Sequence, residues 1–289
     1  EALAGHCMVE VTLLGLAQDG GRPQAGCTRP CCVGLAPEDA SYPVALGITD
    51  GKVNHLIEAT RFLGQQLTVW GQSTIDNVLL THAHFGHVDG LGLFGRETMN
   101  ARNVNLHTSS EMEHLIDRTP QWALMVEQGV FDAKVFHDGD RIQLSEHVIA
   151  QPIRVPHRDE LSDMHAFVIR GPNRSLLFLP DHDTWEETLA RHHHDSIRSW
   201  LASLDVEIAL IDGTFWSSDE LAGRNQDKVP HPPVSKTLEM LGPRQENDPE
   251  IYFIHLNHTN PLYNSESEAS ALLVASGWSI ARQGQTFSL

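Results

Sequence analysis

Short runs of β-branched and aliphatic residues recur along this chain, separated by polar stretches rich in glycine, proline and aspartate. Met8–Leu14 (MVEVTLL), Val44–Thr49 and His55–Ala59 read as strands, the last two turning at Asp50-Gly51. Asn77–Thr81, Val104–His107, Val148–Val155, Ala166–Arg170, Leu176–Leu179, Val206–Ile211 and Ile251–Ile254 are further apolar runs of strand length. Leu91–Met99 and the polar segments that continue to Gln128 carry helical spacing instead. Strands interspersed with helices predict an α/β fold, or an α+β fold with mixed sheets.

Five of these strands end in His or Asp. Asn77–Thr81 runs into His82, Val148–Val155 into Pro156-His157, Leu176–Leu179 into Pro180-Asp181, Val206–Ile211 into Asp212, and Ile251–Ile254 into His255-Leu-Asn-His258. Strand ends are where α/β folds place their chemistry, so a fold that gathers these ends along one edge would converge the side chains on one cleft.

The densest signal is THAHFGHVDGL at 81–91, with three histidines inside six residues. His82 and His84 are two apart and point the same way on extended chain, while His87 lies beyond the bend that Gly86 allows. Neutral imidazole is the commonest metal ligand, and three of them leave positions open for water and substrate. His82, His84 and His157 would make one such site; His87, Asp181 and His258 would make a second, with Asp181 able to bridge the two. A lone histidine after a strand is also a common hydrogen-bonded loop residue, and Asp181 could equally cap the helix-like segment that follows it.

Composition narrows the partners. The 289 residues are 40% hydrophobic, enough for a sizeable core, and no linker or repeat divides them, so one domain spanning 1–289 is expected. Twenty Lys and Arg against 38 Asp and Glu give a net charge of -18, which repels polyanions and argues against nucleic acid as a partner. No apolar run approaches the roughly 20 residues that span a bilayer. The expected partner is a small-molecule or peptide-derived substrate, with oligomeric state undetermined. Gly15–Gly26 lacks the spacing of a phosphate-cradling loop, which excludes a nucleotide reading. His192-His193-His194 sits in a polar stretch and reads as a solvated face.

All four cysteines lie near the start: Cys7, Cys27, Cys31 and Cys32. Cys27, Cys31 and Cys32 are compact enough to hold one ion, with Cys7 or a histidine as a fourth ligand, in a structural zinc site remote from the cleft. A disulfide is the competing expectation and would imply an oxidising compartment. The chain opens on Glu1, with any targeting peptide expected to be already removed, which leaves bacterial cytoplasm and periplasm both open.

THAHFGHVDGL resembles the HxHxDH signature of the metallo-β-lactamase fold superfamily, with Gly86 where that superfamily usually has Asp. GLAQDGGRPQAGC, LIEAT, VPHRDELSD, LFLPDHDTW, LIDGTF and FIHLNHTNPL, in that order from about Leu14 to Leu262, are similar to its PqqB-like branch, the proteins of pyrroloquinoline quinone biosynthesis. The resemblance implies a four-layer αββα sandwich with a metal cleft along one edge of two sheets. It implies His82, His84 and His157 on the first metal, and His87, Asp181 and His258 on the second. It places Glu58 behind the histidine loop as a hydrogen-bonding partner, with Asp212 in similar work, and it implies a structural zinc near the N-terminus. The missing carboxylate at Gly86 implies a weakly held second ion unless Asp89, Asp183 or Glu58 replaces it. Gly86→Asp is expected to restore that ion if the loop can accept a Cβ there, a condition that fails at positive φ.

Two active-site chemistries follow. One is a metallo-hydrolase that uses a zinc-bound hydroxide, with Asp181 orienting the nucleophile. The other is a PqqB-type oxygenase or hydroxylase that holds Fe2+ and acts on a tyrosine-derived precursor. A non-catalytic metal carrier is a third possibility, though a carrier does not need ligands delivered on separate strand ends. Trp122 and Trp216–Pro233 are the expected lids.

Overall fold

The computed structural model describes residues 8–221 and 230–289. Cys7, and residues 222–229 of the expected lid, lie outside the described residues. In chain order the first sheet takes β1 (Glu10–Gly15), β2 (Ala45–Thr49), β3 (Asn54–Ile57), β4 (Asn77–Leu79), β5 (Val104–Ser109) and β6 (Phe131–Phe136). The second takes β7 (Ile142–Gln143), β8 (Ile149–Val155), β9 (Met164–Arg170), β10 (Ser175–Leu179), β11 (Ile208–Asp212), β12 (Glu250–Ile254) and β13 (Ser279–Ile280). The chain then returns through β14 (Thr286–Ser288) to the free edge of β1, giving two seven-stranded sheets. Both are mixed. β1, β2 and β3 pair antiparallel, then β3 to β6 run parallel; β7 to β10 alternate, then β10 to β13 run parallel.

Alternation in the first sheet explains the layering. Val11, Leu13, Leu46, Ile48, Ile57 and Leu79 point into the core shared with the second sheet. Ala45, Leu56, Val78 and Leu106 point the other way, beneath α1 (Leu63–Trp70), α3 (Ser110–Arg118) and α4 (Pro120–Glu127), while the short α2 (Phe85–Val88) lies within the histidine loop. Strands β9 and β10 are buried on both faces, so they read as continuous apolar runs, MHAFVI and LLFL. Their outer face is covered by α5 (Trp185–Arg191), α6 (Ile197–Leu204), α7 (Val234–Leu241) and α8 (Glu268–Ala275), which contribute Trp185, Trp200, Val234 and Leu273 to the same core. This is the αββα sandwich.

The helix expected over Leu91–Met99 shrinks to one 3-10 turn at Leu91–Phe94, after which Met99 N–H returns to the Leu93 carbonyl. Glycines at 92 and 95 and the tight approach at Gly90 favour this compact path. Strands β6, β7, β13 and β14 were not evident from pattern: they are short or edge strands whose polar, exposed positions break the apolar alternation. No helix among the described residues is long and apolar enough to cross a membrane.

The topology aligns strand ends. β3, β4, β10, β11 and β12 finish at one edge of their sheets, and β8, two antiparallel steps from β10, finishes there too. The two sheets are tied at that edge by the His165 N–H to the Thr81 carbonyl, 3.0 Å, and the Ala83 N–H to Ser162 Oγ, 3.1 Å.

Gly90 locks the histidine loop against the exit of β3. Its N–H donates to the Ala59 carbonyl, and an added Cβ would stand 1.9 Å from the carbonyl oxygen of Thr60. Gly90→Ala is therefore expected to cost about 1–3 kcal/mol by overpacking, read as a lowered urea midpoint at unchanged m-value.

Candidate metal centre

Each imidazole of the first set has one nitrogen committed and one free. The Thr81 hydroxyl donates to Glu58 Oε2 at 2.8 Å, so it accepts from Nδ1–H of His82 at 2.9 Å and leaves the His82 lone pair on Nε2. His84 Nε2 lies 3.2 Å from Glu160 Oε1, and His157 Nδ1 lies 3.2 Å from Asp183 Oδ1. The remaining nitrogens face one another: His82 Nε2 and His84 Nδ1 are 2.9 Å apart, and His157 Nε2 is buried with no hydrogen-bond partner. Lone pairs turned together at this range need a cation between them, so the trio fits a metal ion. Burial pushes the pKa of His82 well below the ordinary histidine value, and of His84 lower too, which keeps both rings in the neutral, ligating form.

Asp181 joins this trio to a second group. It is 1% exposed; its Oδ2 is 3.3 Å from His82 Nε2 and 3.1 Å from His87 Nε2, and its Oδ1 is 3.0 Å from His255 Nε2. Oδ1 nevertheless accepts no well-aligned hydrogen bond. Asp19 closes the group, with Oδ1 3.2 Å from His87 Nε2 and 3.3 Å from His255 Nε2. Asp19, His87 and His255 can hold an ion, as can Asp181, His231 and His255. Behind them, His87 Nδ1 contacts Glu58 Oε2, and His255 Nδ1 donates to Thr214 Oγ1, 2.8 Å, which is itself bonded to Asp212.

The charges are balanced within the group. Burial opposes ionisation of Asp181, yet His255 and His87 hold its carboxyl well below the usual range. Burial likewise opposes protonation of both imidazoles, but Asp181 and Asp19 raise His255 to about 9, and Glu58, Asp19 and Asp181 raise His87 well above the ordinary value.

His258 is not part of this group. Expected with His87 and Asp181, it instead has its Nδ1 3.5 Å from Cys31 Sγ and 3.3 Å from Cys32 Sγ. The reason is backbone geometry: His255 takes positive φ (63°) at the end of β12 and turns its ring inward, and the chain then passes through Leu256, paired with Leu16, before reaching His258. Cys27, Cys31, Cys32 and His258 form their own metal-competent group. Sulfur separations of 3.9 and 3.8 Å are too long for a disulfide. They match the roughly 3.8 Å edge of a tetrahedron with ~2.3 Å metal–sulfur bonds. Burial and the neighbouring Cys32 and Cys27 push the Cys31 thiol up to about 11.

The group is not remote from the cleft either. Cys27, Arg29 and His258 line the same cavity of about 820 Å³ as Asp19, Arg158 and His231. Asp89 and Asp183, considered as replacements for the carboxylate absent at Gly86, are engaged elsewhere: Asp89 pairs with Arg61 at 2.5 Å, and Asp183 with His157. Glu58 contacts His87 from the side away from Asp19. Of the expected lids, Trp122 packs against the first helical layer, whereas Glu220, Pro230 and His231 of the second line the cavity. His192 is held by the Arg154 carbonyl, 2.8 Å, and stacks on Trp200. Asp19, His231 and His255 were missed as site residues. His255 carried a signal, a histidine directly at a strand end; Asp19 and His231 sit in loops with none.

A family model described as a beta-lactamase superfamily domain matches residues 51–287. The coenzyme PQQ synthesis protein B of Xanthomonas axonopodis pv. citri is 27% identical over 326 aligned residues, covering 97% of this chain and 100% of that protein. The protein of the same name from a Methylobacterium species is 26% identical, covering 97% and 100%. Among solved structures, Zn(2+)-bound PqqB from Methylobacterium extorquens aligns with a TM-score of 0.74 at 18% identity, covering 97% of this chain and 100% of that one. A diphosphatase from the PhnP family aligns at 0.69 and 17% identity, covering 98% and 97%. At these identities the two structures speak for the fold.

Glu58 carries the histidine loop. It is fully buried at positive φ (74°), accepts from the Thr81 N–H at 2.9 Å and the Thr81 hydroxyl, and contacts His87. Glu58→Ala would strand those partners in the interior and is expected to cost about 3–5 kcal/mol. Glu58→Gln, which keeps an acceptor for Thr81, should cost less; urea denaturation of the two variants checks the order.

Proposed function

Since the chain belongs to the beta-lactamase superfamily, we propose that it is a metal-dependent hydrolase working at the shared edge of its two sheets. The observation that carries this reading is Asp181, one buried carboxylate within 3.3 Å of both histidine groups, which suits a pair of adjoining ions. His82, His84 and His157 would hold the first; His87, His255 and Asp181 would hold the second. A divalent ion bound there supplies Lewis acidity and brings the pKa of a water toward neutrality.

The chain's own residues do the rest. Asp181 fixes the geometry between the two groups and orients the nucleophile. Arg29 and Arg158 flank a largely polar cavity and favour a substrate that carries negative charge, such as a phosphodiester or a carboxylated ester or lactone. His231, with Nδ1 fixed on Asp212 at 2.8 Å, has its other ring nitrogen available to take up a proton and pass it to a leaving group. In the cysteine group, three thiols and an imidazole make a closed, soft set, and we assign it zinc with a structural role.

A second reading has its own support. The relatives named coenzyme PQQ synthesis protein B cover 97% of the chain, and an all-imidazole trio accommodates Fe2+ as readily as zinc. Metal analysis of protein purified without added metal, followed by single turnover of p-nitrophenyl ester and phosphodiester probes under air and under argon, separates the two. Equal turnover in both atmospheres is expected; turnover lost under argon would favour oxidation.

His84→Ala is expected to weaken the first ion at least about 10-fold and to abolish turnover. Full metal content and activity in that variant would refute the assignment. For the cysteine group, denatured protein should yield four free thiols together with released zinc, whereas two or fewer would establish a disulfide.

A further inference from the structure

We infer that Asp19 is the acidic ligand of the second ion, supplied from the loop after β1 to replace the carboxylate that the histidine motif lacks at Gly86, and that residue 86 is glycine because Asp19 occupies its side-chain space. The inference rests on the metal-dependent reading above and extends it to a ligand carried by a different part of the chain.

The steric part is direct. A Cβ built on Gly86 would stand 2.4 Å from both Cα and Cβ of Asp19 and 2.5 Å from its Cγ, distances no side chain tolerates. Gly86 itself is helical, the second residue of the short helix Phe85–Val88, so it is not a left-handed backbone that demands glycine. The demand comes from the neighbour. In the space so vacated, the Gly86 N–H donates to Asp19 Oδ2 at 3.2 Å, which aims the other oxygen, Oδ1, between His87 Nε2 and His255 Nε2. Separations of 3.2 and 3.3 Å are those of atoms sharing one ion at bonds of about 2.0–2.2 Å.

The loop that carries Asp19 is anchored where the inference needs it. Leu256 N–H donates to the Leu16 carbonyl and Gln18 N–H to the Leu256 carbonyl, both at 2.9 Å, so the segment before Asp19 runs paired with the segment after His255. Asp19 and His255 are therefore set at a fixed spacing by backbone hydrogen bonds, although one follows a strand of the first sheet and the other a strand of the second. With Asp181 the second group then holds two carboxylates, the anionic complement that the loss at position 86 had removed, and its ion is held about as firmly as the first.

The test uses the full chain stripped of metal and titrated with Zn2+ against a chromophoric chelator, with bound ions counted by elemental analysis and folding followed by circular dichroism. Unmodified protein should retain two cleft ions, and Asp19→Ala and Asp19→Asn should lose one or weaken it at least about 10-fold while the fold and the cysteine-group ion persist. Gly86→Ala should reproduce that loss by displacing Asp19. Two cleft ions of unchanged affinity in both Asp19 variants would overturn this inference alone and leave the metal-dependent reading standing. A Gly86→Ala variant that keeps both cleft ions at unchanged affinity would overturn the link between the two positions. Unmodified protein that takes no ion in the cleft would overturn both readings together.

Discussion

A carboxylate with almost no access to water must be neutralised by what surrounds it, and Asp181 is that carboxylate here. It lies at the end of β10, the first strand of the parallel half of its sheet, and three imidazoles from two sheets approach it within 3.3 Å. Each is aimed by an acceptor behind it: Thr81 for His82, Glu58 for His87, Thr214 for His255. Removing the central charge would leave that set of imidazoles crowded together with no partner, and removing the imidazoles would leave a buried anion. The arrangement is stable only as a whole, with cations among its members.

The sandwich supplies what such a cluster needs. Parallel strands deliver their ends to one edge without hairpins to close it, so six separate strand ends reach the same cleft. The strands are buried on both faces or packed under helices, which makes the edge rigid. The functional side chains sit in the first few residues after each strand, where backbone strain is tolerated: Glu58 and His255 both take positive φ.

The cysteine group belongs to the same construction. His258 follows His255 by three residues, and the loop that bears Cys27, Cys31 and Cys32 is the continuation of the loop that bears Asp19. An ion at the cysteines would clamp that loop to the segment after β12, and through it would hold Asp19 beside His255. The shared cavity makes the cysteine group a wall of the cleft.

The succession of strands and helices, and the His or Asp at the strand ends, were legible in the sequence, because burial on one or both faces writes itself into residue spacing; the four-layer arrangement was implied only by the family resemblance. So were His82, His84 and His157 as neighbours, since each lies within two residues of an apolar run or of another such histidine. Tertiary structure alone decided the rest. Whether His255 or His258 enters the cleft depends on one left-handed residue and on a bridge to Leu16, neither of which has a pattern in sequence. Asp19 lies a few residues past the end of β1, in a loop among glycines; only the packing of that loop against Gly86 brings its carboxylate to His87. A missing side chain in a motif reads as a loss along the chain, and it takes the fold to show that the space was taken by a residue 67 positions away.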